Sequence, residues 1–131
     1  MTAADEAETA RIFAGADLFL LPSLFEGTPL TLVEAMTSGL PIVTTAVCGM
    51  KDLIVSGRSG LLVPIRSPEA IVSAVRSLVE HADLRRQLGT SARRDAMTDY
   101  TWDRAAEHVA AAYERVLGAP IRAQVPLPLR P

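Results

Sequence analysis

Between Leu18 and Met50 the chain carries only two charged residues, Glu26 and Glu34. A stretch this apolar has to be covered on more than one side, because water would otherwise meet most of its surface. Its pieces are short. Leu18-Phe19-Leu20-Leu21 is a continuous apolar run stopped by Pro22, and Pro41-Ile42-Val43-Thr44-Thr45 is a second run, rich in β-branched residues. Such runs fit strands buried on both faces, as in a parallel sheet. The segment between them reads as a helix that has Pro29 at its first helical position and ends at Gly39. A proline is tolerated there because its missing N–H has no partner to lose.

The same alternation continues along the chain. Residues 3 to 15 read as a helix with Thr2 as its cap, and a short helix over 50 to 56 is stopped by Gly57. Ser59-Gly60 turns the chain into a third strand, Leu61-Leu62-Val63. Ser67-Pro68-Glu69 starts a helix whose Ile71, Val72, Val75, Leu78 and Val79 mark one face at helical spacing. Asp83 opens another, with Leu84, Leu88 and Ala92 in register, and Thr101 opens the last, with Trp102 as its core anchor. Strands and helices that alternate in this way predict an α/β fold with a parallel sheet. The folded part is expected over residues 1–117. From Gly118 onward Pro120, Pro126, Pro128 and Pro131 predict an extended, Pro-rich tail over 118–131.

Composition narrows the function. A hydrophobic fraction of 49% in 131 residues supports a packed core and excludes a disordered chain. A net charge of -2, with acids and bases interspersed, gives no general attraction to nucleic acid or to an anionic membrane. The only cysteine, Cys48, excludes an intrachain disulfide, fits a reducing compartment and reads as a small buried residue. The acidic start, Met1 to Glu6, is unlike a signal peptide, and no apolar run approaches the roughly 20 residues that cross a bilayer. These features together predict a cytoplasmic protein. With His81, His108 and Cys48 scattered, no metal site is expected, and the Gly-rich pattern of a P-loop is absent.

The two lone carboxylates are the candidates for chemistry. Glu26 falls in the loop after the first strand, where open α/β sheets bind their ligands. Glu34 falls inside a helix whose neighbours Leu30, Leu32, Val33, Ala35 and Met36 are apolar nearly all round, and such a helix is expected to be buried. A buried carboxylate needs a partner, which a backbone cap, an arginine or a ligand could each supply. Gly27 and Thr28 offer N–H groups at a helix start, a natural seat for phosphate. Glu34 lies about 9 Å further along at ~1.5 Å per residue, so a diphosphate and a ribose diol could be held together.

At this point the residues resemble a family. Pro22-Ser23-Leu24-Phe25-Glu26-Gly27, then Leu32-Val33-Glu34-Ala35-Met36, then Gly39-Leu40-Pro41-Ile42-Val43, is similar to the E-x7-E region of the retaining GT-B glycosyltransferases of family 4. The likeness continues through Gly57-Arg58-Ser59-Gly60-Leu61-Leu62-Val63 and the helix near Trp102, covering roughly residues 9 to 117. It implies a part of a doubly wound, Rossmann-like parallel sheet, the C-terminal half of a GT-B donor domain. It also implies transfer from a nucleotide-sugar of the UDP- or GDP-sugar class with retention of configuration, and no cofactor. Glu26 becomes the catalytic carboxylate near the donor sugar, Glu34 the ribose ligand, and Gly27, Thr28, Pro29 and Leu30 the donor-binding run. Two departures stand out. Cys48-Gly49-Met50-Lys51-Asp52 replaces the family's Gly-Gly-x-Pro-Glu, and the family's acceptor domain and first donor half are expected to lie outside this chain.

Three other readings stay open: a non-catalytic nucleotide-sugar-binding remnant, a flavodoxin-like interaction module with structural glutamates, and a retaining glycosidase. The last needs carboxylates about 5 Å apart across the substrate, for which a glutamate within a helix is poorly placed.

Overall fold

A computed structural model describes residues 6–118. The start of the first expected helix and the Pro-rich tail beyond Gly118 lie outside the described residues. The chain divides into two compact units, Met1–Asp99 and Tyr100–Pro131.

In the first unit the elements run α1 (Glu6–Ala14), β1 (Phe19–Leu21), α2 (Leu30–Thr37), β2 (Ile42–Thr45), α3 (Cys48–Leu53), β3 (Leu61–Val63), α4 (Pro68–Glu80) and α5 (Ala82–Asp99). The three strands form one parallel sheet in the order β1-β2-β3, with Phe19 opposite Ile42 and Val43 opposite Leu61. Consecutive side chains of β2 go to opposite faces. Ile42 joins Leu32, Met36, Met50, Leu53, Ile54 and Ala92 on one side. Val43 joins Val63, Leu78 and Leu88 on the other. Both faces are therefore covered, and all four residues of β2 are buried. Each large side chain so buried stabilises the fold by about 1.5–3 kcal/mol relative to exposure. This is the α/β architecture with a parallel sheet that the apolar runs predict.

Several details differ from the sequence reading. Pro29 is the N-cap of α2, with φ -72° and ψ 121°, so the helix begins one residue later at Leu30. The third helix occupies Cys48–Leu53 rather than 50 to 56, because Val47 is already extended as its cap and the chain turns as soon as it leaves β2. Gly57 does not stop this helix, which ends at Leu53 with Ile54 already extended; its φ of +81° belongs to the later turn that leads into β3. Cys48 is exposed, not buried.

Helix α5 crosses the end of α2 with the two backbones in close approach. A Cβ on Gly89 would overlap the carbonyl oxygen of Gly39 and lie 3.1 Å from its carbonyl carbon. Arg58 reaches across to α5 from the turn before β3 and meets Asp95 at 2.8 Å.

The second unit contains α6 (Trp102–Leu117), capped by the Thr101 hydroxyl accepting from the Arg104 N–H at 3.3 Å and closed by left-handed Gly118. The helix buries none of its residues, and Trp102, expected as a core anchor, is exposed. No helix among the described residues is long and apolar enough to cross a membrane.

Candidate functional site

Parallel strands bring the carboxyl ends of β1, β2 and β3 to one edge of the sheet, so the segment from Pro22 to Pro29 leaves at the edge where open α/β folds hold ligands. Two threonines at the end of β2 catch this segment as it leaves. The Thr44 hydroxyl donates to the Leu21 carbonyl at 2.9 Å, and the Thr45 hydroxyl donates to the Ser23 carbonyl at 2.5 Å. Both side chains are buried, so these bonds form away from competing water. Ser23 then passes the constraint on. Its own hydroxyl donates to Glu26 Oε1 at 3.0 Å, and Glu26 is half-buried.

Gly27 and Thr28 follow. Among the described residues nothing accepts a hydrogen bond from the N–H groups of Gly27, Thr28, Leu30 or Thr31. Pro29 has no N–H, and its carbonyl accepts the first bond of the helix, from Leu32, at 3.1 Å. The entry to α2 is thus a row of open donors at the positive end of a helix, a layout suited to anions. Phe25 and Leu30 are exposed and give this entry an apolar rim.

Glu34 is not where the apolar count puts it. The sequence reading buries it; in the structure it is exposed. Leu32, Ala35 and Met36 of α2 are buried and Val33 packs partly against the same core, while Leu30, Thr31 and Glu34 share the outer face at spacings of three and four. Apolar neighbours on every side of a helical wheel do not by themselves bury it; a covering element must lie on every side too. The exposed position removes the need for an internal partner and leaves the carboxylate free to meet a ligand along the same face as Leu30.

The structure thus joins Glu26, Gly27, Thr28, Pro29 and Leu30 in one loop and helix entry, with Glu34 further along the helix. Sequence reasoning missed Ser23, Thr44 and Thr45. The signal for the threonines was two hydroxyls ending a strand that is otherwise Ile and Val. A separate open depression between the end of α4 and the start of α5, lined by Ser77, Glu80, His81, Asp83, Leu84 and Gln87, is made of other elements. Among the described residues no three His, Cys, Asp or Glu side chains converge as metal ligands.

A parallel sheet covered on both faces, with a loop and open helix amides at its carboxyl edge, has the layout in which open α/β proteins hold ligands. The chain belongs to the glycosyl transferases group 1 family, which its residues 3–95 match. A D-inositol 3-phosphate glycosyltransferase of Nocardioides sp. is 35% identical over 108 residues, covering 82% of this chain and 23% of that protein. Sucrose-phosphate synthase from Thermosynechococcus elongatus superposes with a TM-score of 0.81 at 24% identity, over 90% of this chain and 30% of that one. An Anabaena protein solved in complex with UDP-glucose superposes with a TM-score of 0.77 at 20% identity, over 84% and 30% of the two chains. The α/β fold with its parallel sheet is therefore shared with part of GT-B glycosyltransferases, as the motifs imply. The chain spans about a quarter of the length of the curated relatives it matches.

Proposed function

We propose that this chain is the nucleotide-sugar-binding part of a retaining GT-B glycosyltransferase. The observation that carries the reading is the pinned loop at the carboxyl edge of the sheet, where Ser23 orients the half-buried Glu26 immediately before a row of open amides. The family match, the glycosyltransferase relative and the UDP-glucose complex of a protein with the same fold support it. In this reading the amides of Gly27 and Thr28 meet the diphosphate, and the partial positive charge of the helix start offsets the charge that grows as the diphosphate leaves. Glu26 accepts hydrogen bonds from the sugar hydroxyls. Glu34 takes the ribose diol, since a carboxylate presents two acceptor oxygens. The acceptor attacks from the face that the diphosphate leaves, which retains configuration. The acceptor site belongs to another domain.

Glu26→Gln tests the assignment. It keeps the shape but removes the charge, and a hydrogen bond to a charged group is worth about 1.5–3 kcal/mol. The complete enzyme should lose roughly 10- to 150-fold in kcat with its nucleotide-sugar, while affinity for the free nucleoside diphosphate stays within about twofold. An equal loss for the diphosphate and the nucleotide-sugar would remove Glu26 from the sugar site.

The reading also leaves diphosphate neutralisation to amides and to cations of the complete enzyme. Transfer should accordingly survive excess EDTA, measured as nucleoside diphosphate release. Complete loss restored by Mg²⁺ or Mn²⁺ would require a metal in the mechanism.

A further inference from the structure

Gly49 is the second residue of α3, and its backbone is helical rather than left-handed. Nothing in its own conformation calls for glycine, and glycine is among the poorest helix formers. The reason lies across the loop. A Cβ built on Gly49 would overlap the carbonyl oxygen of Gly27, lie 2.6 Å from the Gly27 carbonyl carbon and 3.3 Å from the Thr28 nitrogen. The backbone of α3 and the backbone of the loop touch directly. The place a Gly27 side chain would occupy is open, because a Cβ there would meet nothing within 4 Å. The Gly27–Thr28 peptide therefore rests on α3 and has free space beside it. A few residues upstream the same corner of the fold holds the same loop by hydrogen bond, Thr45 hydroxyl to Ser23 carbonyl.

We propose that the corner between β2 and α3 is a seat that sets the height of the Gly27 and Thr28 amides, with Gly49 as a positioning residue that must lack a side chain and Thr45 as its second anchor. The inference rests on the donor-site reading for its functional consequence, but not for its geometry. Glycine at position 49 fixes how far the loop sinks toward α3, and hence where the two open N–H groups stand relative to a bound phosphate. Any side chain at 49 lifts them out of place.

The test is the structure of the Gly49→Ala chain, solved beside the unsubstituted one, together with calorimetric binding of UDP and UDP-glucose by the complete enzyme. The expected result is a Gly27–Thr28 segment shifted away from α3, with the three strands superposing, and a loss of at least about tenfold in affinity for both probes. Helix propensity alone predicts the opposite: an unmoved loop and a raised Tm, and that outcome overturns the proposal. Should Gly49→Ala fail to fold, Thr45→Val keeps the buried shape while releasing the Ser23 carbonyl; residues 23 to 28 should then shift, and an unmoved loop again overturns the seat. Gly27→Ala separates the two claims. It fills the open side without touching the protein, so the loop should stay in place while both probes bind more weakly. If Gly49→Ala moves the loop but neither variant changes the binding of UDP, UDP-glucose, GDP or GDP-mannose, the seat stands and the donor-site reading falls.

Discussion

Glu34→Ala should lower the affinity of the complete enzyme for its nucleotide-sugar and for the free nucleoside diphosphate alike, by roughly 10- to 150-fold, and leave its stability nearly unchanged. The two halves of this expectation have separate physical sources. A carboxylate that accepts both hydroxyls of a ribose diol makes two charge-assisted hydrogen bonds, each worth about 1.5–3 kcal/mol when a partner is left unpaired. The two act as a unit and the residue is exposed, so water replaces part of what is lost and the total stays near the value of one bond rather than the sum. Folding is a different matter. Glu34 lies on the outer face of α2, away from Leu32, Ala35 and Met36, and alanine is the better helix former. A surface change of this kind moves stability by about 0.5 kcal/mol or less. Calorimetry and thermal unfolding on the same preparation read both quantities. Unaltered affinity in a folded variant excludes Glu34 as the ribose ligand. A large drop in Tm excludes the outward, unpartnered position on which this expectation depends.

The contrast between Glu34 and Thr45 explains what could be read from the chain and what could not. The strands were legible because burial on both faces needs apolar residues at every position, and Ile42 and Val43 report this locally. The order of loops and helices followed from Pro and Gly at the junctions. The direction of α2 did not follow. Its wheel carries apolar residues in excess of what its contacts need, so Leu30 ends exposed and hydropathy alone cannot tell the inner face from the outer. The anchors of the site were hidden for another reason. Thr45 meets a carbonyl 22 residues earlier, and Thr44 one 23 residues earlier. In sequence they are only β-branched strand residues. Gly49 reads only as part of the run that departs from the family motif until the Gly27 backbone is brought against it. Glu26 and its loop were found because polarity is rare in that stretch; what holds the loop is tertiary, and became visible only with the sheet assembled.

The sheet itself leads to the last expectation, that the 131-residue chain expressed alone self-associates and transfers no sugar. β1 pairs with β2 on one side and with no described strand on the other. It is a short, wholly apolar strand, Phe19-Leu20-Leu21, and Leu20 is 39% exposed although the strand has the composition of a covered one. An edge strand offers a row of unpaired N–H and C=O groups, and natural edges are usually blunted by charge, proline or a bulge. Within the strand itself there is neither charge nor proline; Asp17 and Pro22 lie beyond its two ends. On the Phe19 face, α1 contributes one edge-to-face contact, from Phe13 at 5.8 Å between ring centres, which covers a side chain and leaves the strand's backbone edge open. Pairing with a second chain satisfies those groups and hides Leu20 together. Transfer fails for a related reason. In the proposed reading the open amides and Glu26 supply only one side of the donor site, and the acceptor site and the cations that steady a leaving diphosphate are supplied by the complete enzyme. Light scattering over a dilution series should give a mass above that of one chain, rising with concentration, and amide exchange across residues 18 to 22 should be fast in the most dilute sample. With UDP-glucose or GDP-mannose, release of nucleoside diphosphate should stay at the buffer rate. A monomer at every concentration, with those amides protected and measurable turnover, would mean that β1 is closed by something within this chain and that the site is complete without a second domain.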